Sequence, residues 1–377
     1  MKLAEIGEYI TQLNSNSGGA YFSIGEQKHV VALRPLKFLQ VSKELVVDKL
    51  DIKFVENELT SKLRVIPRVL FTSSDVCFYS KGLILVNGMA CGRTLRNIKF
   101  SKGYIDNIKL KEENIVVERI EGCPPLLLGP LETFNYSHWI FEGIPKINQY
   151  KSVYNSLPQN IVMSGNLKRF HFETIEFFSP GAIIKAVQEP SIFPQKVAYT
   201  TSLAKSVNEI DPSVFEFYGK ILLTKYKYNR PSKRRIYISR NKAKHRRILN
   251  EDSLIDKLKC LSFEVVSLED LSFSEQVDLF WNASVVVSAH GAGLANLVFA
   301  RNCGLLLEIF SSGFRDKSAY AHVCRHLGIK YLAASGIPVQ QAVRDKSDPE
   351  GWEGHKSFDA PVEKISLVLT SLLGNQK

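Results

Sequence analysis

The sequence predicts an α/β protein built on parallel sheets and preceded by a β-rich N-terminal region. Three observations carry that reading. From about residue 136 onward, short apolar runs of strand length alternate with amphipathic stretches of helix length, the pattern of repeated β-α units. The runs Val285-Val-Val-Ser-Ala289 and Leu305-Leu-Leu-Glu-Ile309 are apolar on nearly every position, as strands covered by helices on both faces must be. Before about residue 130 the apolar runs are short and irregularly spaced, with turn signals rather than helices between them.

In chain order, Val65–Phe71, Gly82–Val86 and Asn114–Glu118 read as short strands, and Asn87-Gly88 after the second is a hairpin turn signal. The prolines of Cys123–Pro130 break any helix there. Tyr136–Tyr150 is amphipathic at helical spacing, followed by strand Asn160–Met163, helix Leu167–Phe178 and strand Ala182–Val187. A helix over 212–225 leads to strand Arg235–Ser239. Helix Glu251–Lys259 has Asn250 as its N-cap and acids in its first turn. Strand Phe263–Val266 and helix Phe273–Asn282 come next. The strand ending at Ala289 runs into the turn His290-Gly291-Ala292-Gly293, and Leu294–Phe299 reads as the opening of a helix. Strand Leu305–Ile309, a helix over 317–327, strand Lys330–Leu332 and a helix over 361–373 complete the order.

A chain of 377 residues is two domains of ordinary size or one large one. The expected division is 1–130 for the β-rich region, 131–210 for the rest of the first lobe, and 211–377 for a second lobe. Apolar and charged fractions of 45% and 23% are those of a soluble globular protein. No apolar run reaches the roughly 18 residues of a membrane span. Acids stand near the N-terminus where a signal peptide has its apolar stretch, so no secretory signal is expected and the expected compartment is the cytoplasm. Six scattered cysteines without a Cys-x-x-Cys pair fit a reducing compartment and give no zinc pattern.

The formal net charge of +11 points to an acidic partner. Eleven Lys and Arg and no acid lie between Lys225 and Arg247. Slight aromatic interleaving and the lack of any nucleic-acid signature argue against DNA or RNA. A donor-phosphate site, or a peripheral contact with an anionic membrane, fits the run better.

The turn at residues 290–293 carries the most chemistry. Strand, glycine turn and helix start aim free backbone N–H groups and the positive helix end at one spot, which suits a phosphate or diphosphate. Asn296 stands where a dinucleotide fingerprint has its third glycine, and no Gly-Lys-Ser/Thr follows. His290 puts an imidazole beside that spot; the plain alternative is a packing turn with a backbone-bonded histidine. Arg240, at the carboxyl end of its strand, reaches the same crevice, and Arg247 is a second candidate clamp, against a merely solvated basic loop. Glu308, inside an apolar strand, needs a partner: a ribose hydroxyl, or a structural Arg or Lys. His138 and Glu142, four apart, share a helix face and form either an acid/base pair or a structural one. No Gly-x-Ser-x-Gly elbow and no Asp-x-Asp motif is present, so arginines, backbone N–H groups and the helix dipole are expected to neutralise a diphosphate without a metal.

Three segments, in this order, resemble glycosyltransferase family 61. They are Asn135-Tyr-Ser-His-Trp-Ile-Phe-Glu-Gly-Ile-Pro-Lys146, Tyr237-Ile-Ser-Arg240 with Arg246-Arg-Ile-Leu-Asn-Glu251, and Ser288-Ala-His-Gly-Ala-Gly-Leu-Ala-Asn-Leu-Val-Phe299. The resemblance runs from about Leu127 to the C-terminus. Ala295 replaces the family's usual Thr, Glu142 stands where Asp is common, and the N-terminal region carries no recognisable motif.

The resemblance implies a GT-B fold, two Rossmann-like lobes facing a cleft, and metal-independent, inverting transfer from a nucleotide sugar. The expected donor contacts are Arg240, Arg247, His290, Gly291, Ala292, Gly293 and Asn296, with Glu308 on the ribose, and the expected catalytic pair is His138 with Glu142. No cofactor is expected. The expected donor is a UDP-sugar, with CMP- and GDP-sugars as alternatives. The expected acceptor is a glycan or lipid-linked glycan of a bacterial capsular polysaccharide, made at the inner face of the plasma membrane. The competing readings are a non-catalytic nucleotide- or polyanion-binding protein and a Rossmann-type oxidoreductase.

Overall fold

The computed structural model describes residues 70–373 except 74–75, 79–83, 87–88, 91–115, 130–134, 189–190, 201–203, 207–208, 227–230, 232, 312–318 and 340–355. The region before residue 70, with the start of the strand expected from Val65, lies outside the described residues. The described residues fall into two compact units that divide between Val214 and Phe215.

The first unit contains β1 (Leu70–Ser73), β2 (Val76–Phe78), β3 (Ile84–Val86), β4 (Met89–Ala90), β5 (Val116–Val117) and β6 (Leu126–Leu128). There follow α1 (Tyr136–His138), a π turn (Trp139–Gly143), α2 (Ile144–Tyr154), β7 (Asn160–Ser164), α3 (Arg169–Phe178) and β8 (Ile183–Val187). The short strands β9 (Ser191–Phe193), β10 (Val197–Thr200), β11 (Ala204–Ser206) and β12 (Glu209–Ile210) complete it. Its main sheet has the order β1-β10-β6-β7-β8. The last four of these strands are parallel, and β1 is antiparallel to β10. The chain runs from β6 outward through β7 to β8 and returns to place β10 on the other side of β6. The strand order therefore reverses at β6.

A second sheet, β4-β3-β2-β9-β5, packs beside it around Val76, Phe78, Phe193 and Tyr199. β3 and β4 pair antiparallel with Val86 opposite Met89; the turn expected at Asn87-Gly88 lies outside the described residues. β9 to β12 were not among the expected elements. At two to four residues each they are too short to show a period of two.

The second unit opens with α4 (Pro212–Lys225), whose first residues precede the division. It continues through β13 (Arg234–Ile238), α5 (Glu251–Cys260), β14 (Phe263–Val266), α6 (Phe273–Trp281) and β15 (Ala283–Ala289). Next come β16 (Leu305–Phe310), α7 (Ala319–Leu327), β17 (Lys330–Ser335), β18 (Ile337–Pro338), β19 (Phe358–Asp359) and α8 (Val362–Leu373). The sheet is all parallel, in the order β14-β13-β15-β16-β17. Counted within the unit this is 2-1-3-4-5, a doubly wound order whose switch point lies between β13 and β15. Every residue of β16 is buried, which accounts for its unbroken apolar sequence apart from Glu308.

Two local expectations are corrected. The segment after the glycine turn is a 3-10 helix, Ala292–Phe299, rather than the start of an α-helix. Its last six residues are buried, and a Cβ on Gly293 would press to 2.7 Å from Leu268 Cδ1, so close packing on every side goes with the tighter turn. Asn250 makes no side-chain cap bond to α5. Its amide instead clamps the backbone of Ala360, donating to the carbonyl at 2.9 Å and accepting from the N–H at 2.7 Å, and so ties the segment before α8 to the start of α5. By contrast α6 has a capping box, Ser272 with Glu275.

Candidate functional site

In the first unit the chain leaves the carboxyl end of β6, at the switch in strand order, and re-enters helix at Asn135. The Asn135 side chain accepts from the Ser137 N–H at 2.8 Å, which fixes the start of α1. After His138 the helix widens: the Ile144 N–H bonds Trp139 O, five residues back. Two residues hold this π turn. The Trp139 indole is fully buried and donates to Thr174 Oγ1 of α3 at 2.7 Å. Gly143 has no side chain because a Cβ there would overlap the Trp139 ring. Within the turn, His138 Nδ1 lies 2.7 Å from Glu142 Oε1, with side-chain exposures of 22% and 1%. A carboxylate only accepts, so Nδ1 carries the hydrogen and Nε2 is the basic nitrogen. A partly exposed imidazole oriented by a buried carboxylate has the logic of a general base.

In the second unit the switch point brings together the residues that follow β13 and β15. His290 and Gly291 follow β15 directly, and Arg240 is the second residue after β13. A Cβ on Gly291 would overlap the Arg240 guanidinium. The backbone of Gly291 is extended, so the need for glycine is steric: the guanidinium lies on the turn. Arg240 Nη2 donates to His245 O at 3.1 Å, while its buried Nε has no hydrogen-bond partner among the described residues. Burial, more than any other influence, lowers the Arg240 guanidinium from its ordinary value. Arg246 is half-buried, sits in the left-handed region at φ 59°, and is pushed down to about 10 by burial and then by the charge of Arg240. Two crowded, desolvated cations on a glycine turn are a place for an anion.

His290 is itself held. Its Nδ1 lies 2.5 Å from Glu308 Oε1, and the other Glu308 oxygen accepts from the Tyr331 hydroxyl at 2.8 Å. The imidazole stacks on Phe310 at 5.2 Å, with the Tyr320 ring 5.5 Å away.

These contacts correct three expectations. Glu308 is not placed for a ribose, because it is fully buried and both its oxygens are engaged by His290 and Tyr331. Its partners are also neither Arg nor Lys. Asn296 is fully buried and donates to Gln276 Oε1 at 2.8 Å, so it fixes the 3-10 helix to α6 rather than meeting a ligand. Arg247 points outward and is exposed, and the neighbour that faces Arg240 is Arg246. Ala292 and Gly293 stand half-buried at the start of the 3-10 helix, with Gly293 packed on Leu268. Arg246, Tyr320 and Tyr331 were missed. The Arg246-Arg247 pair was visible, but only the backbone turn at Arg246 tells which of the two points inward.

Among the described residues no cluster of three or more His, Cys, Asp or Glu is arranged to hold a metal, and no helix is long and apolar enough to cross a membrane.

Comparison with known proteins follows the same segments. Residues 136–306 match the family model described as Glycosyltransferase 61. The chain is similar to the EGF domain-specific O-linked N-acetylglucosamine transferase of Drosophila melanogaster, 32% identical over 160 residues, which are 41% of this chain and 30% of that protein. It is similar to the proteins of the same name from Gallus gallus and Mus musculus, each 31% identical over 103 residues, 26% of this chain and 19% of theirs. The chain thus spans less than a third of the length of these relatives.

Proposed function

We propose that this chain, a member of glycosyltransferase family 61 through residues 136–306, transfers a sugar from a nucleotide donor to an acceptor hydroxyl. One observation carries the reading: at the switch point of an all-parallel sheet, Arg240 lies on Gly291 beside His290, inside the matched segment. Such crevices take nucleotide phosphates. In this reading Arg240, Arg246 and the N–H groups of the Gly291–Gly293 turn neutralise the leaving diphosphate, which a metal would otherwise do. His138 Nε2 removes the acceptor proton while Glu142 orients the ring. A single attack at the anomeric carbon then inverts its configuration. The two units would be the two lobes of a GT-B enzyme.

For the acceptor we propose a hydroxyl of a bacterial surface polysaccharide, with the enzyme in the cytoplasm at an anionic membrane face met by the basic run before Arg247. The names of the animal relatives favour a second reading, a protein hydroxyl on an EGF domain that receives N-acetylglucosamine.

A thermal-shift screen with UDP, GDP, CMP and their sugars tests the donor. A shift with one nucleotide is expected, because a ligand that binds only the native state raises its melting temperature. No shift with any of them overturns the reading. Activity that survives EDTA, assayed on a lipid-linked glycan and on an EGF-domain peptide, then separates the two acceptors and checks the metal independence.

A further inference from the structure

The Arg240 guanidinium is held where it would not stay by itself. It is desolvated, its buried Nε has no hydrogen-bond partner among the described residues, and Arg246 crowds it with a second positive charge. A buried donor without an acceptor and a pair of like charges both cost free energy, so some attachment must keep the side chain on the turn. We propose that Glu251 supplies that attachment as a positioning residue for the donor anion: its carboxylate, anchored by the Tyr237 hydroxyl, fixes the backbone of Arg240 so that the guanidinium lies over Gly291 before a nucleotide arrives. This rests on the donor site proposed above.

At the end of β13 the Ser239 N–H still bonds Val266 O of β14, at 2.9 Å. The next N–H, that of Arg240, goes to a side chain instead: Glu251 Oε1 accepts it at 3.3 Å. The same oxygen accepts from the Tyr237 hydroxyl at 2.6 Å, the length of a hydroxyl bonded to a carboxylate. Tyr237 is fully buried in β13, and Glu251 is buried at the first residue of α5, so the carboxylate has a rigid seat. The Arg240 carbonyl accepts from the Ala243 N–H at 2.9 Å, and Nη2 of its side chain donates to His245 O at 3.1 Å. Glu251 thus holds the near end of Arg240, and the loop after it holds the far end.

Charge acts in the same sense. Burial works against the Arg240 cation, and the carboxylates of Glu269 and Glu251 support it. Glu269 is exposed on the loop after β14, and Glu251 is the buried one of the two. α5 does not need Glu251 for its own start, because Asp252, exposed in the same turn, already faces the positive helix end. A cation set in place beforehand spares the ligand the cost of ordering it. Affinity then rises without any contact between Glu251 and the nucleotide.

The test is a double-mutant cycle on nucleotide affinity, with whichever of UDP, GDP and CMP shifts the melting temperature as the probe. Glu251→Ala, shown to be folded by its melting curve, should weaken binding about tenfold, and the same change beside Arg240→Ala should weaken it less than about twofold further. At saturating donor the kcat of Glu251→Ala should stay within about twofold of the wild type, the sign of a lost binding contribution alone. Glu251→Gln keeps an accepting oxygen and should recover most of the affinity. If Glu251→Ala does not fold, Tyr237→Phe removes only the anchoring hydroxyl and carries the same cycle, with roughly threefold weaker binding expected beside Arg240 and no change beside Arg240→Ala. Losses that multiply in the double variant, or a single variant that binds as the wild type does, overturn the positioning role and leave the donor site standing. If Arg240→Ala binds as tightly as the wild type, or no nucleotide binds the wild type, the donor site falls and the role of Glu251 falls with it.

Discussion

In the first unit His138 and Glu142 lie four residues apart within one turn of chain. In the second, His290 and Glu308 are eighteen apart and meet across two strands. The register sets that meeting: Ser288 stands opposite Glu308 and Ala289 opposite Ile309, and the His290 N–H bonds Ile309 O at 2.8 Å. Alternate residues share a sheet face, so His290 comes to lie over Glu308 and Phe310. In both pairs the carboxylate takes Nδ1, the glutamate is 1% exposed or less, and the histidine is partly open, at 22% and 12%. What differs is the company. The turn that carries His138 is held by Asn135 at its start and by the Trp139 indole on Thr174. His290 has Arg240 and Arg246 close by, a cationic setting that suits holding an anion. In the reading proposed above, the same dyad serves as a base in one unit and as an anion contact in the other, according to the charge beside it.

The largest expected effect tests that division of labour. His138→Ala should cut kcat by about a thousandfold, in the range for loss of a general base, while the UDP dissociation constant stays within about twofold. A large loss of UDP affinity in that variant would erase the contrast between the pairs. Next, Gly291→Ala should displace the Arg240 guanidinium and raise the donor KM by roughly 10- to 100-fold, the scale of one lost charge-assisted contact, with kcat at saturating donor much less affected. An unchanged donor KM would detach Arg240 from the anion site. The smallest effect has the opposite sign. Arg246→Met removes one of two crowded cations, so the ligand-free protein should melt about 2–4 °C higher, equivalent to ~1 kcal/mol, while the UDP-induced shift shrinks. A lower melting temperature with the UDP shift intact would make Arg246 a structural residue.

Legibility in the sequence follows the same contrast. The second unit's sheet could be read because β15 and β16 are buried on both faces and so carry runs that nothing but a covered strand tolerates. His138 with Glu142 could be read because their spacing is local. The partner of His290 could not, since it depends on the register of β15 against β16, and an apolar run gives no sign of which neighbour it chooses. Glu308 showed only that something must satisfy it, and the ribose assigned to it was the wrong partner. Arg246 was hidden for a related reason: two adjacent arginines look alike until the left-handed backbone at φ 59° sends them different ways. The strands β9 to β12 left no trace because two to four residues cannot establish a period. The widened turn at Trp139–Gly143 left only Gly143, whose purpose shows once the Trp139 ring is seen against it.

That widened turn has a consequence for how the segment tolerates changes in length. A π turn is an α-helix carrying one surplus residue, absorbed locally so that the flanking turns keep their phase. The stretch from Tyr136 to Tyr154 therefore holds one amino acid that the helix does not need. Excising Ile140 would let the ladder close into regular four-residue steps and give a more ordinary helix with the same faces inward. It would also shorten the His138-to-Glu142 interval to three. Insertions and deletions are usually tolerated in loops and rejected in helices; here a deletion inside a helix is structurally mild, and it is the site that forbids it.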